Sequence, residues 1–338
     1  MRAFVRAIEY YLPEQSLTNA ILAEEFPDWT VDKIQKKTGI EVRHIARENE
    51  CASDLGVRAA ENLFASAICL PRDIDYVLFC TQSPDYFLPS TSCLIQDRLA
   101  IPKSAGAIDF NQGCSGYIYG LGLASGLIET DQARTVLLIT AETYSKHICR
   151  ADRSVRSLFG DAAAATLVIG RESDSAGIGP FIYGTDGSGA KNLIVPTGGM
   201  RNKRTETTAQ IHQDENGNFR SNDNLYMNGA EIFNFTLNTV PQLVAQILKK
   251  ANRAIEDIDL FVFHQANKFM LEHLQKKLRI PAEKFYMSFS NYGNTVSSTI
   301  PIALRDASSA GKLESGAVVM LVGFGVGYSW GASIIRWM

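Results

Sequence analysis

Two stretches of this 338-residue chain, RDIDYVLFCTQS at residues 72–83 and EDIDLFVFHQAN at residues 256–267, resemble each other along their whole length. Each contains Asp-Ile-Asp followed by a short apolar run, which is typical of a buried β-strand. A segment with a helical pattern precedes each stretch. The likeness predicts that two parts of the chain contain the same structural unit.

Three further pairs of similar segments follow in the same order. They are DRLAIP (97–102) with KKLRIP (276–281), IDFNQGCSG (108–116) with MSFSNYGNTVSS (287–298), and TVLLITAE (135–142) with AVVMLVGF (317–324). Four matched pairs, offset by about 180 residues, indicate a duplicated α/β unit whose halves pack together.

Strand-like runs alternate with helical patterns along most of the chain. AATLVIG at 164–170 is another apolar, strand-like run, whereas DLGVRAAENLFASAI at 54–68 and VPQLVAQILKKANRAI at 240–255 have helical spacing. This alternation predicts a layered α/β fold. Because one core rarely serves a chain of this length, we expect an N-terminal half over 1–175 and a C-terminal half over 176–338.

Composition narrows the classes of function and location. Hydrophobic residues make up 46% and charged residues 20%, and the net charge of −3 gives no reason to expect nucleic acid or membrane as a partner. No segment approaches the roughly 20 apolar residues that span a bilayer. The cysteines form no CxxC pair and the histidines no metal-ligand spacing. We therefore expect reduced thiols, a cytoplasmic location and no metal site.

A polar segment separates the two halves. Residues 198–225, GGMRNKRTETTAQIHQDENGNFRSNDNL, lack hydrophobic periodicity and contain turn signals at ENGN and SND. Such a segment is most simply a surface excursion. A lid, or a loop that contacts a partner, is the alternative interpretation.

The duplication places three reactive side chains at matched positions. Cys114 corresponds to Asn294, and His264 follows the strand that matches the one ending at Cys80. If the halves are related by a pseudo-twofold axis, these three turns meet at one interface. Each residue alone has a simpler explanation, namely a packed cysteine, a satisfied histidine and a turn asparagine. Together they predict a site for nucleophilic catalysis.

The chemistry of each residue suits such a site. Cys114 precedes the apolar run at 115–128, so its thiol would lie at a helix N-terminus, which favours a thiolate. The flanking Gly113 and Gly116 would leave room for an acyl group. His264 and Asn294 could both donate N–H groups to a developing oxyanion.

Four motifs in this order resemble those of the thiolase-like condensing enzymes, specifically β-ketoacyl-acyl-carrier-protein synthase III. They are GCSG (113–116), HQAN (264–267), YGNTVSSTIPIAL (292–304) and GFGVGYSWGASIIRW (323–337). The resemblance extends over nearly the whole chain. It implies a thiolase-like fold, with duplicated α/β halves in a five-layered α-β-α-β-α core, and a homodimer.

The resemblance also implies a mechanism. Cys114 would take an acyl group from acyl-CoA, and malonyl-acyl carrier protein would then lose CO2 and attack the acyl-cysteine. His264 and Asn294 would stabilise the enolate oxygen. The backbone N–H groups of Cys114 and Val326 would hold the tetrahedral oxyanion, and Phe324 would line the malonyl pocket. Both thioesters are substrates, and no cofactor is implied.

Further residues match binding positions of the family. The resemblance assigns Arg153 and Trp29 to CoA, Asn267 to the pantetheine arm, and Lys276 and Lys277 to docking of the carrier protein. Two departures stand out. Val326 replaces a frequent glycine, which predicts a narrower site, and Trp29 lies farther from the TGI segment at 38–40 than in the family.

Other classes of function remain open at this stage. An acyltransferase of the same fold could pass the acyl group from Cys114 to an alcohol or amine without decarboxylation. The presence of Asn294 beside His264 favours condensation over that alternative. A papain-like protease would also use Cys, His and Asn, but the duplication and the missing CGSCW signature disfavour it. A non-catalytic scaffold is the last alternative.

Overall fold

A computed structural model describes residues 1–338. The strands are β1 (Arg2–Tyr11), β2 (Gln15–Thr18), β3 (Val42–Ile45), β4 (Tyr76–Cys80), β5 (Gly106–Phe110), β6 (Thr135–Glu142), β7 (Ala162–Arg171), β8 (Ile178–Thr185), β9 (Leu193–Ile194), β10 (His212–Gln213), β11 (Phe219–Arg220), β12 (Tyr226–Met227), β13 (Leu260–Phe263), β14 (Phe285–Tyr286), β15 (Val318–Gly325) and β16 (Ser329–Arg336). The α-helices are α1 (Asn19–Glu25), α2 (Val31–Thr38), α3 (Ala52–Ala65), α4 (Thr91–Arg98), α5 (Gly116–Glu129), α6 (Arg153–Arg156), α7 (Gly229–Ala251), α8 (Lys268–Leu278) and α9 (Thr299–Ser309).

The two large sheets have the same topology. The first has strand order β1-β7-β6-β4-β5, and the second, read from its corresponding edge, has β8-β16-β15-β13-β14. In each sheet the last three strands are parallel to one another and the other pairs are antiparallel. The first sheet uses residues 2–171 and the second residues 178–336. The predicted duplication is therefore confirmed, strand by strand.

Helices separate and cover the two sheets. The central helices α5 and α9 contact both sheets, α3 and α4 cover the outer face of the first, and α7 lies on the second with α8 against it. One buried cluster lies between the sheets, and two more lie under the outer helices. This arrangement is the predicted five-layered α-β-α-β-α core.

The helical spacing noted at 240–255 belongs to a longer helix. Helix α7 begins at Gly229 and ends at Ala251, with Pro241 in its interior. The side chain of Asn228 caps its first turn by accepting from the Glu231 N–H, and Asn252 ends it in the left-handed conformation.

The start of α5 lies unusually close to the second sheet. A Cβ atom added to Gly323 would lie 2.8 Å from Ser115 Cα and 3.0 Å from the Cys114 carbonyl oxygen. The hydroxyl groups of Ser115 and Ser329 are 2.7 Å apart and hydrogen-bonded across the same contact. Only a residue without a side chain at 323 lets β15 approach the helix this closely.

This contact predicts opposite effects for two glycine substitutions. Gly323→Ala should lower the free energy of unfolding by about 1–3 kcal/mol, because the added methyl group meets backbone atoms that cannot rotate away. Gly126 is exposed on α5, and its added Cβ would meet nothing within 4 Å. Gly126→Ala should therefore raise stability by about 0.4–1 kcal/mol. Urea unfolding of both variants tests this, and equal effects would contradict the close contact.

Candidate active site

Cys114, His264 and Asn294 line one cavity of about 80 Å³. Cys114 lies just before α5, His264 directly follows β13, and Asn294 lies in the loop between β14 and α9. The His264 N–H donates to the Val322 carbonyl, at 2.8 Å, and this bond fixes the end of β13 against β15. The structure thus brings together three residues that are distant in sequence.

The Cys114 side chain is buried at the junction of the two halves, with 4% of the residue exposed. A Cβ atom on Gly325 would lie 2.8 Å from both the Cβ and the Sγ of Cys114, so this glycine makes room for the thiol. The backbone N–H groups of Val326 and of Cys114 itself face the sulfur and favour its anionic form. Burial outweighs them and raises the pKa of Cys114 to about 12.

This pKa differs from the sequence-based expectation. A helix N-terminus favours a thiolate, but removing the sulfur from water opposes charge more strongly in this cavity. The resting nucleophile is therefore a neutral thiol, and it needs a proton acceptor before it can attack a thioester.

The structure changes one expectation about the neighbouring backbone, and it shows an unusual conformation at one valine. A Cβ atom on Gly113 would overlap the Val326 side chain, and one on Gly116 would overlap the Cys80 sulfur. These glycines therefore permit close packing rather than the approach of an acyl group. Val326 has no positive φ, whereas Gly327 has φ 137° and Val296 has φ 54°. The unusual backbone conformation of a valine thus occurs beside Asn294, not at Val326.

His264 is neutral in the resting site. Burial lowers its pKa to about 3, since only 2% of the residue is exposed. Its Nδ1 lies 2.7 Å from Thr299 Oγ1, and this hydroxyl donates to the Val296 carbonyl at 3.0 Å. The imidazole Nδ1, the Thr299 hydroxyl and the Val296 carbonyl are all hydrogen-bonded when Nδ1 carries the proton and donates to Thr299. Nε2 is then an acceptor in the resting site, and it can donate to an oxyanion once it takes up a proton.

The backbone fixes the orientation of Asn294. Its Oδ1 accepts from the Val296 N–H at 3.0 Å, and its own N–H donates to the Leu158 carbonyl at 2.8 Å. Because Oδ1 is occupied, the Nδ2 hydrogens remain for a ligand in the cavity. The positive φ of Val296 turns its N–H towards Oδ1, so the strained backbone serves the orientation of the amide.

Phe324 supplies an apolar wall beside the histidine. The ring is 2% exposed and meets the His264 ring edge to face, with centroids 5.6 Å apart. It lines the same cavity as the three reactive residues. An apolar surface here would favour loss of charge from a bound carboxylate.

Sequence reasoning missed a buried carboxyl group behind the nucleophile. Glu142 ends β6 and accepts from the Gln82 N–H at 3.0 Å and the Ser297 hydroxyl at 3.0 Å. Burial raises its pKa to about 8. One feature of the sequence could have indicated this group. Glu142 is an acidic residue at the end of an otherwise apolar strand, and the duplication aligns it with Phe324. Glu142 links the two halves next to the site.

Two aromatic residues near the cavity were also missed. Tyr144 packs against Phe159, with ring centroids 5.0 Å apart, and its hydroxyl donates to Gln82 Oε1 at 3.3 Å. Phe159 lines both the cavity of the three reactive residues and a larger cleft of about 590 Å³. No sequence pattern indicated these contacts, because both residues lie outside the matched motifs.

The residues assigned to CoA meet at one place on the surface. The Arg153 guanidinium carbon lies 5.6 Å from the centre of the Trp29 ring, and Lys37 and Lys33 lie 4.8 and 5.9 Å from it. Helix α2 occupies the chain between Trp29 and the TGI segment, which accounts for the longer spacing. Trp29 itself is 7% exposed and packs in a small core cluster, so the three cations around it, rather than the indole face, are the groups that an anionic ligand would meet.

The remaining assigned residues lie on α8. Asn267 lines the catalytic cavity and caps the helix, since its side chain accepts from the Met270 N–H at 2.9 Å. Lys276 and Lys277 are exposed in the last turn, and Lys277 Nζ donates to the Leu237 carbonyl at 2.7 Å. Of the two, Lys276 is the one whose ammonium group has no hydrogen bond to the protein.

The structure has no group of three or more His, Cys, Asp or Glu side chains that could bind a metal ion. None of the helices combines the length and apolar character that crossing a membrane requires.

Comparison with known proteins identifies the family. Two family models match, 3-oxoacyl-[acyl-carrier-protein] synthase III over residues 108–187 and its C-terminal domain over residues 248–337. A β-ketoacyl-[acyl-carrier-protein] synthase III of Caldanaerobacter subterraneus is 36% identical, covering 97% of this chain and 95% of the relative. Another, numbered III 2, from Halalkalibacterium halodurans is 39% identical and covers 99% and 97%.

Solved structures agree with this result. A crystal structure of a 3-oxoacyl-(acyl-carrier-protein) synthase III is 50% identical, with a TM-score of 0.99 and full coverage of both chains. The Burkholderia xenovorans 3-oxoacyl-(acyl-carrier protein) synthase is 39% identical with a TM-score of 0.91, covering 100% of this chain and 94% of that one. The chain belongs to the β-ketoacyl-acyl-carrier-protein synthase III family of condensing enzymes.

Proposed function

We propose that this enzyme transfers an acyl group from acyl-CoA to Cys114 and then condenses it with malonyl-acyl carrier protein, in fatty acid or specialised acyl-chain biosynthesis. The observation that carries the proposal is the shared cavity of Cys114, His264 and Asn294, walled by Phe324. A nucleophile, a proton acceptor and a fixed amide donor are the groups that such a reaction needs. No separate cofactor takes part.

His264 activates the thiol in the loading step. Its Nε2 accepts the Cys114 proton, and the sulfur attacks the thioester carbonyl carbon. The N–H groups of Cys114 and Val326, which already face the sulfur, hold the oxyanion of the tetrahedral intermediate. When the carbon–sulfur bond to CoA breaks, the CoA thiolate takes the proton from Nε2, and the imidazole is neutral again.

The second step uses both His264 and Asn294. The malonyl carboxylate brings negative charge into the cavity, and Nε2, which is neutral after loading, then takes up from water a proton that burial otherwise disfavours. Asn294 Nδ2 and the protonated Nε2 then hold the enolate oxygen formed as CO2 leaves. The enolate carbon attacks the acyl-cysteine, and the departing Cys114 thiolate recovers a proton from His264.

Binding of both substrates fits the charged surfaces. Arg153, Trp29 and the nearby lysines suit the nucleotide of CoA, and Asn267 lies where the pantetheine arm would enter the cavity. Lys276 and Lys277 would receive an acidic carrier protein, and their exposure in the last turn of α8 supports this. The spacing of the six cysteines supports a cytoplasmic location.

A homodimer completes the proposal. Tyr86, Phe87 and Leu88 are 61%, 81% and 82% exposed, in the loop that follows β4. The loop ends at Thr91, whose N–H donates to the Asp109 carboxylate in β5 at 2.6 Å, and the outer edge of β5 has no neighbouring strand in its sheet. A second copy could cover these apolar side chains and pair with the edge.

Two substitutions separate the roles in catalysis. Asn294→Ala should still be acylated at near the normal rate, but its CO2 release should fall by about 10²–10³, the usual cost of one oxyanion donor. His264→Ala should lose loading as well, because a thiol with a pKa of about 12 is left without an acceptor. Intact-protein mass spectrometry and CO2 release from malonyl-acyl carrier protein measure the two steps.

Normal condensation by either variant would contradict these roles. Acylation of the unmodified enzyme without any CO2 release from malonyl-acyl carrier protein would instead favour the acyltransferase that transfers to an alcohol or amine.

The homodimer makes a separate prediction. Sedimentation at micromolar concentration should show one species near twice 37.2 kDa. Phe87→Asp should shift the protein towards the monomer, because it places a charge in the apolar contact. Met200→Asp is a matched control, since Met200 is 90% exposed but lies far along the chain in the polar segment. A monomeric unmodified protein, or equal dissociation of both variants, would contradict the interface.

A further inference from the structure

A buried ion pair anchors the polar segment 198–225 to the body of the protein. Arg220, at the end of β11, is 6% exposed and pairs with Asp152, which is fully buried, and with Asp214. Burying a guanidinium group is costly unless carboxylates pair with it. This segment is therefore a surface excursion that is held at a defined position.

The pair fixes a tight turn between β10 and β11. Asp214 Oδ1 accepts from the N–H groups of Asn216 and Asn218, each at 2.9 Å, and Gly217 has φ 77°. The turn presents the Asn216 carbonyl to Arg153, whose Nη2 donates to it at 3.3 Å. The tip of the polar segment thus contacts the arginine assigned to the nucleotide of CoA.

Asp152 connects the same pair to the backbone next to Arg153. One of its oxygens accepts from Arg220, while Oδ1 accepts from the Ser154 N–H at 3.0 Å and caps α6. Arg153 is the first residue of that helix. The polar segment therefore reaches Arg153 in two ways. Arg220 pairs with Asp152, which directly precedes Arg153 in the chain. The Asn216 carbonyl accepts from the Arg153 side chain.

Arg153 needs such support because its other neighbours repel it. Its guanidinium group and the ammonium groups of Lys33 and Lys37 all lie within 6 Å of the centre of the Trp29 ring. Burial lowers the pKa of Lys37, and the charges of Arg153 and Lys33 lower it further. Without a ligand, like charges favour movement of the Arg153 side chain into solvent. A hydrogen bond from a fixed carbonyl opposes that movement.

We propose that Arg220 is a positioning residue for CoA, because it anchors the segment 198–225 so that this segment holds Arg153 over Trp29. The inference rests on the proposed contact between Arg153 and the nucleotide. It assigns a role to the polar segment that is separate from acyl transfer itself, since Arg220 does not line the catalytic cavity.

Substrates with and without a nucleotide test the proposal. Arg220→Met should raise the KM for acetyl-CoA about tenfold, which corresponds to about 1.4 kcal/mol, with kcat unchanged. The kinetics with S-acetylpantetheine, which has no nucleotide, should stay the same. Arg220→Lys should recover part of the loss, because an ammonium group can still pair with Asp152. Arg47→Met is the control, since Arg47 forms an exposed ion pair with Glu14.

A second measurement needs no turnover. The affinity for CoA, measured by calorimetry, should fall in Arg220→Met and in Asp214→Asn. Asp214→Asn should have the smaller effect, because it removes only one of the two carboxylate charges that pair with Arg220. If Arg220→Met folds poorly, Asp214→Asn still tests the contact. An equal loss with acetyl-CoA and S-acetylpantetheine would show a general structural role and overturn the proposal.

Arg153→Ala distinguishes failure of this inference from failure of the proposed function. If Arg153→Ala weakens CoA binding but Arg220→Met and Asp214→Asn do not, only the positioning role is wrong. If Arg153→Ala leaves CoA binding unchanged, the proposed contact between Arg153 and CoA is wrong, and the positioning role of Arg220 is then wrong as well.

Discussion

The close contact between the start of α5 and the ends of β15 and β16 determines the architecture of the site. Gly323 and Gly325 let the second sheet approach a helix of the first half until the Cys114 sulfur lies against its backbone. That approach aligns the Val326 N–H with the sulfur and closes the cavity around His264 and Asn294. The duplicated fold places the three reactive residues at the interface of its two halves. Gly323 and Gly325 allow the two halves to come into contact there.

Burial at this interface decides the protonation states. It raises the pKa of Cys114 to about 12 and lowers that of His264 to about 3, so both groups are neutral over the physiological range. A neutral pair avoids the cost of keeping two charges in an apolar cavity before substrate arrives. The proton then moves only when a thioester or a malonyl carboxylate supplies compensating charge, which couples activation to substrate binding.

The sequence was sufficient for the fold and for the meeting of Cys114, His264 and Asn294 in one cavity, because the duplication relates them by position. Both sheets, and the strands that carry His264 and precede Cys114, follow from apolar runs that local patterns reveal. The protonation states did not follow, because they depend on burial by residues from both halves. Glu142, Tyr144 and the Arg220 ion pair were missed for the same reason, since each acts through contacts between segments distant in sequence.

The most direct measurement locates the acyl group itself. The unmodified enzyme is incubated with acetyl-CoA, digested, and analysed by peptide mass spectrometry before malonyl-acyl carrier protein is added. We expect one acetyl group, on the peptide that contains Cys114, and its disappearance with release of CO2 once the malonyl substrate is present. Cys114→Ser should carry no label. An acetyl group on another cysteine, or condensation without any acyl-enzyme, would contradict Cys114 as the nucleophile.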